Sequence, residues 1–494
     1  MSHALAPAGG REWWRGDDFP AWLSPMLVKE LRQGIQSGAF AWTFIGLQVA
    51  MFLLMAWTTA WIDDTGSYTS AVRTMSGVFW AAVGVAMVMV VPLQGLGAVA
   101  AERAGNNLDL VRLTHLSATK IVTGKWLALV AQSLLLATAV LPYLVLRYFL
   151  GGVEVLHDLE MFGWLAAASM LVAAAAIALS TLPQWQRIAA CILIPSVAFA
   201  GAEALDDVGL LRMSAVTPFA KFGLLVLMAC YGVACLEFAA GRIAPAAENH
   251  AARKRLLALG LAAALLGVCW LGPDRAASLT FIAVGPLLLA YTVGALVERP
   301  TQITTVVAPF ARAGWAGRVA ARFLAPGWAT GLVFVTMAWA VFASGFLVGT
   351  SRFSHMRADA LTAGLTLAGL LAATLVFPLP LLVRLPRVSV PLLLYVLVHL
   401  VAFMVFVWSG AAWSGSRPWH ESAWWPAVLP LPLAALLAYG AIGNPSEMAR
   451  FAPVFGGAAA VMLAVVGMAV AGPWIREMRG LGRLLAAASG GRKE

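Results

Sequence analysis

The chain has 494 residues, 61% hydrophobic and only 11% charged, with a net charge of +10; soluble domains carry a charged fraction of roughly 25%. Mean hydropathy is +0.84, and apolar stretches of about 20 residues, each able to cross a hydrocarbon core of roughly 30 Å as a helix, recur along the whole length. A soluble protein is excluded, as is a β-barrel with its roughly ten-residue alternating segments, which leaves an all-α polytopic membrane protein of about 12–13 transmembrane helices.

Residues 1–39 contain no signal-peptide core and form an N-terminal segment. Within it "SPMLVKELRQGIQSGAF" (Ser24–Phe40) predicts an amphipathic helix. Ser24 caps it, Pro25 opens it, and Leu27, Leu31 and Ile35 line one face opposite Lys29, Arg32 and Gln33, with Glu30 between them. Six spans follow, near 40–61, 78–100, 126–150, 162–183, 188–206 and 219–240, and make up a domain over 40–240. Gln48, Gln94 and Gln132 lie inside the first three and call for helix-to-helix hydrogen bonds worth roughly 0.6–2 kcal/mol each. Pro92 and Pro142 are placed to loosen the second and third. Asp63 and Asp64 directly follow the first span, in the first outside loop. His157, Glu154, Asp158 and Glu160 form an acidic group in another loop, read as solvated rather than metal-binding. Cys191, Cys230, Cys235 and Cys269 all fall in apolar runs, where cysteine behaves as a small hydrophobe, so neither a disulfide framework nor a zinc site is expected.

A polar linker over 241–255, "GRIAPAAENHAARKR", divides the chain. Beyond it, 256–474 reads as six or seven further spans, near 256–272, 278–297, 327–349, 359–383, 388–409, 424–442 and 452–474, ending in a basic tail over 475–494. In the first half Arg103, Arg112, Lys120, Lys125, Arg187, Arg242 and Arg253–Arg255 fall in one set of alternate loops and only Arg73 and Arg212 in the other, with Arg147 and Lys221 at span edges. That bias places the N-terminus in the cytoplasm. Sixteen basic against seven acidic residues follow residue 255. They are dispersed among spans, which suits anionic membrane lipid as a partner and argues against nucleic acid. An odd span count would put the basic tail outside, so one second-half span is expected to be re-entrant or misread. Twenty tryptophans, several in "WSGAAWSGSRPWHESAWWP", suit an interfacial aromatic belt.

Residues 101–126, "AERAGNNLDLVRLTHLSATKIVTGKW", are more ordered than a turn needs to be. Gly105 frees the bend, Asn107 caps a short helix over Leu108–Leu113, and Asp109 and Arg112 suit its dipole at either end. Ser117 caps a second helix running into the third span. Gly124-Lys125 does not complete a phosphate-binding loop, because Thr119 replaces the first glycine and Trp126 the final hydroxyl residue. No polar interval exceeds about 40 residues, too short for an independent catalytic domain.

The run Glu102-Arg103-Ala104-Gly105, Leu108-Asp109-Leu110, Leu113-Thr114-His115-Leu116-Ser117, Ile121 and Gly124-Lys125 resembles the loop between the second and third spans of type-2 ABC transporter permeases. Asn106 stands where that family usually has threonine, and His115 where it has proline. The Ser24–Phe40 helix resembles the family's amphipathic interface helix. Coverage is roughly the first half, and 256–494 is an extension beyond the common six-span permease. The resemblance implies a permease subunit of an ATP-driven transporter, an exporter, in the bacterial cytoplasmic (inner) membrane. It implies coupling through Glu102, Gly105, Asn106, Leu108, Asp109, Leu110, Arg112 and Leu113, an interface helix carrying Leu27, Lys29, Glu30, Leu31 and Arg32, and no catalytic or metal residues. The implied partners are a cytoplasmic ABC ATPase, which binds ATP-Mg so that this chain holds no cofactor, and a second permease subunit. The alternative from another class is a membrane glycosyltransferase using a lipid-linked sugar donor, with Asp63 and Asp64 at its active site.

Overall fold

The computed structural model describes residues 25–65, 68–100, 117–150, 155–184, 186–188, 191, 218–244, 249–299, 303–351, 358–385, 391–411, 429–440, 442 and 445–490. Among these the only regular structure is helical, as a chain in hydrocarbon requires when each backbone N–H and C=O must be satisfied within its own segment. Seven helices are long and apolar enough to cross a membrane, or up to eight if one bent pair is counted as a span. The chain forms two compact units, the first Met1–Val216 with Met228–Ala244, the second Thr217–Leu227 with Pro245–Glu494.

In the first unit, α1 (Pro25–Ile35) leads through Ser37 into α2 (Gly38–Thr65), and the Ser37 hydroxyl accepts the Phe40 N–H at 3.2 Å as an N-cap. After α2 comes α3 (Tyr68–Gly84), so the connection is two residues. Asp63 and Asp64 therefore belong to the last turn of α2 and not to a first outside loop, because the helix carries on past its apolar stretch. The second span continues from α3 through a π-helical turn, Val85–Val90, a short α-turn, Val91–Gln94, and a 3₁₀ turn, Gly95–Gly97. Pro92 explains the break, since it offers no N–H and its ring crowds the carbonyl four residues back. Pro142, by contrast, sits within an uninterrupted α4 (Ala118–Leu150). Then come α5 (Val155–Ser180) and α6 (Pro218–Ile243), of which the part up to Leu227 belongs to the second unit. The span expected at 188–206 lies outside the described residues. Phe40, Met51, Phe79, Trp80, Met87, Leu136 and Val140 form the core shared by α2, the second span and α4.

The second unit begins with an antiparallel pair, α7 (His250–Leu271) and α8 (Ala276–Val297). The linker thus shrinks from 241–255 to the few residues between α6 and α7. Two short helices follow, α9 (Thr304–Arg312) and α10 (Gly314–Leu324), amphipathic rather than apolar all round. α10 meets α11 (Trp328–Ser351) at a 93° bend. Gly327 makes the corner at φ 135°, a conformation closed to ordinary side chains. Arg255 seals it from inside: Nη1 donates to the Phe323 and Ala325 carbonyls at 2.7 and 2.9 Å, while Nη2 donates to the Gly327 carbonyl at 3.1 Å and the Glu298 carboxylate at 2.7 Å. One side chain therefore serves the terminal carbonyls of α10 that no helix turn can reach.

α12 (Ala358–Val376) breaks at Pro378 into α13 (Leu379–Arg384). Lacking an N–H, Pro378 leaves the Thr374 carbonyl without its helical partner. On α14 (Pro391–Ala411) His399 Nε2 stands 3.1 Å from that carbonyl, and the Tyr395 hydroxyl donates to the Leu375 carbonyl at 2.9 Å.

The region expected to span at 424–442 yields α15 (Pro432–Gly440), only 9 residues, or about 14 Å. That is under half a hydrocarbon thickness, so it enters without crossing. It is held by Ala434, Ala435 and Ala438 against α12, and by the Tyr439 hydroxyl donating to the Met448 carbonyl at 2.8 Å. α16 (Pro445–Gly490) runs 46 residues, about 69 Å, more than twice what a crossing needs. Residues 475–490 of the region expected as a basic tail are thus the continuation of a helix. Leu481 and Leu485 pack on Val307, Ala321 and Ala325, which places the end of α16 at the same end of the unit as Arg255. Arg299, Arg312, Arg318, Arg322, Arg384, Arg476, Arg479 and Arg483 gather at that end; Arg450 lies towards the other.

Candidate functional site

The coupling residues expected from sequence, Glu102, Gly105, Asn106, Leu108, Asp109, Leu110, Arg112 and Leu113, lie outside the described residues, as does the Ser24 cap. What is described is the base on which that segment stands. Its two flanks are held together, because Val99 at the end of the second span packs in one cluster with Ala118 and Val122 at the start of α4. Ser117 directly precedes α4, its carbonyl accepting the Ile121 N–H at 3.2 Å and its hydroxyl 3.2 Å from that of Thr119.

Immediately beyond, α1 lies along α4 in the same direction, from Met26 beside Gly124 to Gly34 beside Gln132. Gly124 has room for Met26 because it lacks a Cβ; one built there would stand 3.3 Å from Met26 Cγ. Gly34 is tighter still, and any Cβ would collide with the Gln132 amide. Between them Lys125 Nζ donates to Glu30 Oε1 at 2.9 Å, with the lysine 3% and the glutamate 17% exposed.

The seam is built from the other side of the amphipathic helix. Met26, Glu30 and Gly34 turn towards α4, while on the apolar face Leu27 and Leu31 are half-buried and Ile35 is exposed. Lys29 and Arg32 face outwards. The physical reason is the solvent: an apolar stripe loses nothing by facing acyl chains, so small and polar residues make the protein contact. Gln132 was named from sequence as a helix-contact residue, whereas Met26 and Gly34 were not; the i, i+4, i+8 spacing of Met26, Glu30 and Gly34 was the available signal.

α4 is fastened at its far end too. About 33 Å along the helix from Lys125, Arg147 places Nη1 3.2 Å from Asp158 Oδ2 on α5, donates through Nη2 to Ser76 Oγ at 2.7 Å, and stacks 4.4 Å from the Phe79 ring centroid. Asp158 is thereby a structural partner within α5 and not a loop acid, and Glu160 accepts the Trp164 indole N–H at 3.3 Å. Between the two ends the Trp126 indole N–H donates to the Met170 carbonyl at 2.9 Å, and the hydroxyls of Ser169 and Ser133 meet at 2.8 Å.

Of the three intramembrane glutamines, Gln48 behaves as expected, donating from Nε2 to the Ala139 carbonyl at 3.2 Å. Gln94 Nε2 and Gln132 Oε1 are buried without a hydrogen-bond partner among the described residues. Gln94 ends the α-turn after Pro92, and Gln132 lies under Gly34. Comparison with known proteins returns no match to a family model, to a curated protein or to a solved structure.

Proposed function

We propose that the chain is the membrane-spanning permease subunit of an ATP-driven exporter, docking a separately encoded cytoplasmic ATPase through residues 101–116. The observation that carries this reading is the fastening of α4. A helix pinned by Lys125 to α1 and by Arg147 to α3 and α5 transmits a push on its leading end as a rigid body. The second span, entering the same loop, has its hydrogen-bond register interrupted over Val85–Gly97 and supplies the hinge. Closure of the ATPase on bound ATP-Mg would displace Leu108–Leu113, tilt α4 against that hinge and open the opposite face. One such loop serves one ATPase, so two permease chains, alike or different, complete the transporter.

The same reading sets residues 101–116, α9, α10 and the end of α16 in the cytoplasm of a bacterial cell, an orientation favoured by the arginines gathered at the Arg255 end. The test is the double charge reversal D109K/R112E. It should reduce ATPase co-purification and transport-coupled hydrolysis by roughly tenfold or more, the scale of desolvated charge pairs at an interface. Full retention of both would overturn the proposal.

A further inference from the structure

The second unit contains a cavity of about 670 Å³ where the ends of α8, α13 and α16 meet the start of α11. That is within the roughly 300–1,000 Å³ of ligand pockets. Three arginines border it, Arg299, Arg384 and Arg476, each at the end of an apolar helical run. Two glutamates border it as well, but both are engaged: Glu298 faces Arg255 at 2.7 Å, and Glu477 accepts the Trp328 indole N–H at 3.0 Å. Arg384 and Arg476 form no ion pair with a described residue. The rest of the wall is apolar, with Leu382, Val383 and Pro473, and the adjoining Leu381 and Leu385 are exposed at 45% and 47%.

We propose that this cavity binds the phosphate headgroup of an anionic phospholipid. Two uncommitted guanidiniums provide planar forks that match phosphate oxygens. Their position at the ends of spans is the depth at which headgroups lie, and the exposed leucines beside the mouth accept acyl chain. A soluble anion would make no use of that apolar flank. The bound lipid bridges α13 and α16, which otherwise bring two like charges to one opening.

The experiment measures lipid retained by the purified full-length chain, by native mass spectrometry, after exchange with phosphatidylglycerol or phosphatidylcholine. The wild-type chain should retain phosphatidylglycerol preferentially, R384Q/R476Q should lower that retention roughly tenfold, and R450Q, at the other end, should leave it unchanged. R384K/R476K, which keeps the charges, should retain a measurable preference. If the double glutamine variant does not fold, R384Q and R476Q singly should each give a partial loss. Equal retention of the two lipids, or no response to any of these arginine changes, overturns the proposal. So does displacement of the lipid by equimolar inorganic phosphate, which would mark a site for a soluble anion.

Discussion

Lys125 Nζ and Glu30 Oε1 meet at 2.9 Å across 95 positions of sequence. This contact makes the amphipathic helix α1 part of the wall of the first unit. The ammonium is almost wholly buried, and the Glu30 carboxylate is one of its partners.

Glu30→Ala should therefore lower stability by about 1–3 kcal/mol, because it removes a charge-assisted hydrogen bond from a buried ammonium, and the double change E30A/K125M should recover part of that loss. Thermal unfolding of the four members of the cycle in one detergent measures it. A double variant as unstable as the two single losses combined would show that the residues act independently.

At the other end of the seam, Gly34→Leu should destabilise by about 1–3 kcal/mol through collision with Gln132, and Q132A should relieve part of it. Thermal midpoints of the single and double variants test the contact. A tolerated leucine beside an intact Gln132 would mean that the Gln132 side chain does not hold its amide against Gly34.

Arg255 is expected to be the most sensitive position of the second unit. R255A removes the donors for three corner carbonyls and the partner of Glu298 and should cost about 3–5 kcal/mol. R255K retains the charge but not the planar fork, so it should lose at least half as much. The readout is thermal unfolding together with protease sensitivity around residues 312–330.

Topology gives a prediction independent of function. Because α15 is too short to cross and α16 is long enough, cysteines introduced as R253C and S489C should react with an impermeant maleimide from one side of the membrane, and E447C from the other. Labelling of S489C from the same side as E447C would contradict the described path.

Much of this was legible beforehand. The start of α1 at Pro25, that of α4 just after Ser117, and the doubt over one second-half span all followed from local chemistry: a ring that suits a first turn, a hydroxyl at a cap, a basic tail that resists translocation. The face of α1 was not legible, since the rule that apolar stripes point inwards holds in water and fails beside lipid. Nor were the positions of Asp158 and Arg147, which read as loop acid and span edge until the fold brought them to 3.2 Å.

The amino-acid sequence on its own determined that the chain is a multi-pass membrane protein and roughly where its long apolar helices run. Those properties depend on transfer of single segments from water to hydrocarbon, and each segment carries its own free energy of transfer. Tertiary structure alone decided that Glu30, Gly34 and Gln132 form one seam, that Arg255 closes a corner some 70 positions away, and that α15 stops short of crossing. Such contacts depend on which small and polar groups come within hydrogen-bonding reach of one another, and the hydropathy of a segment is indifferent to that.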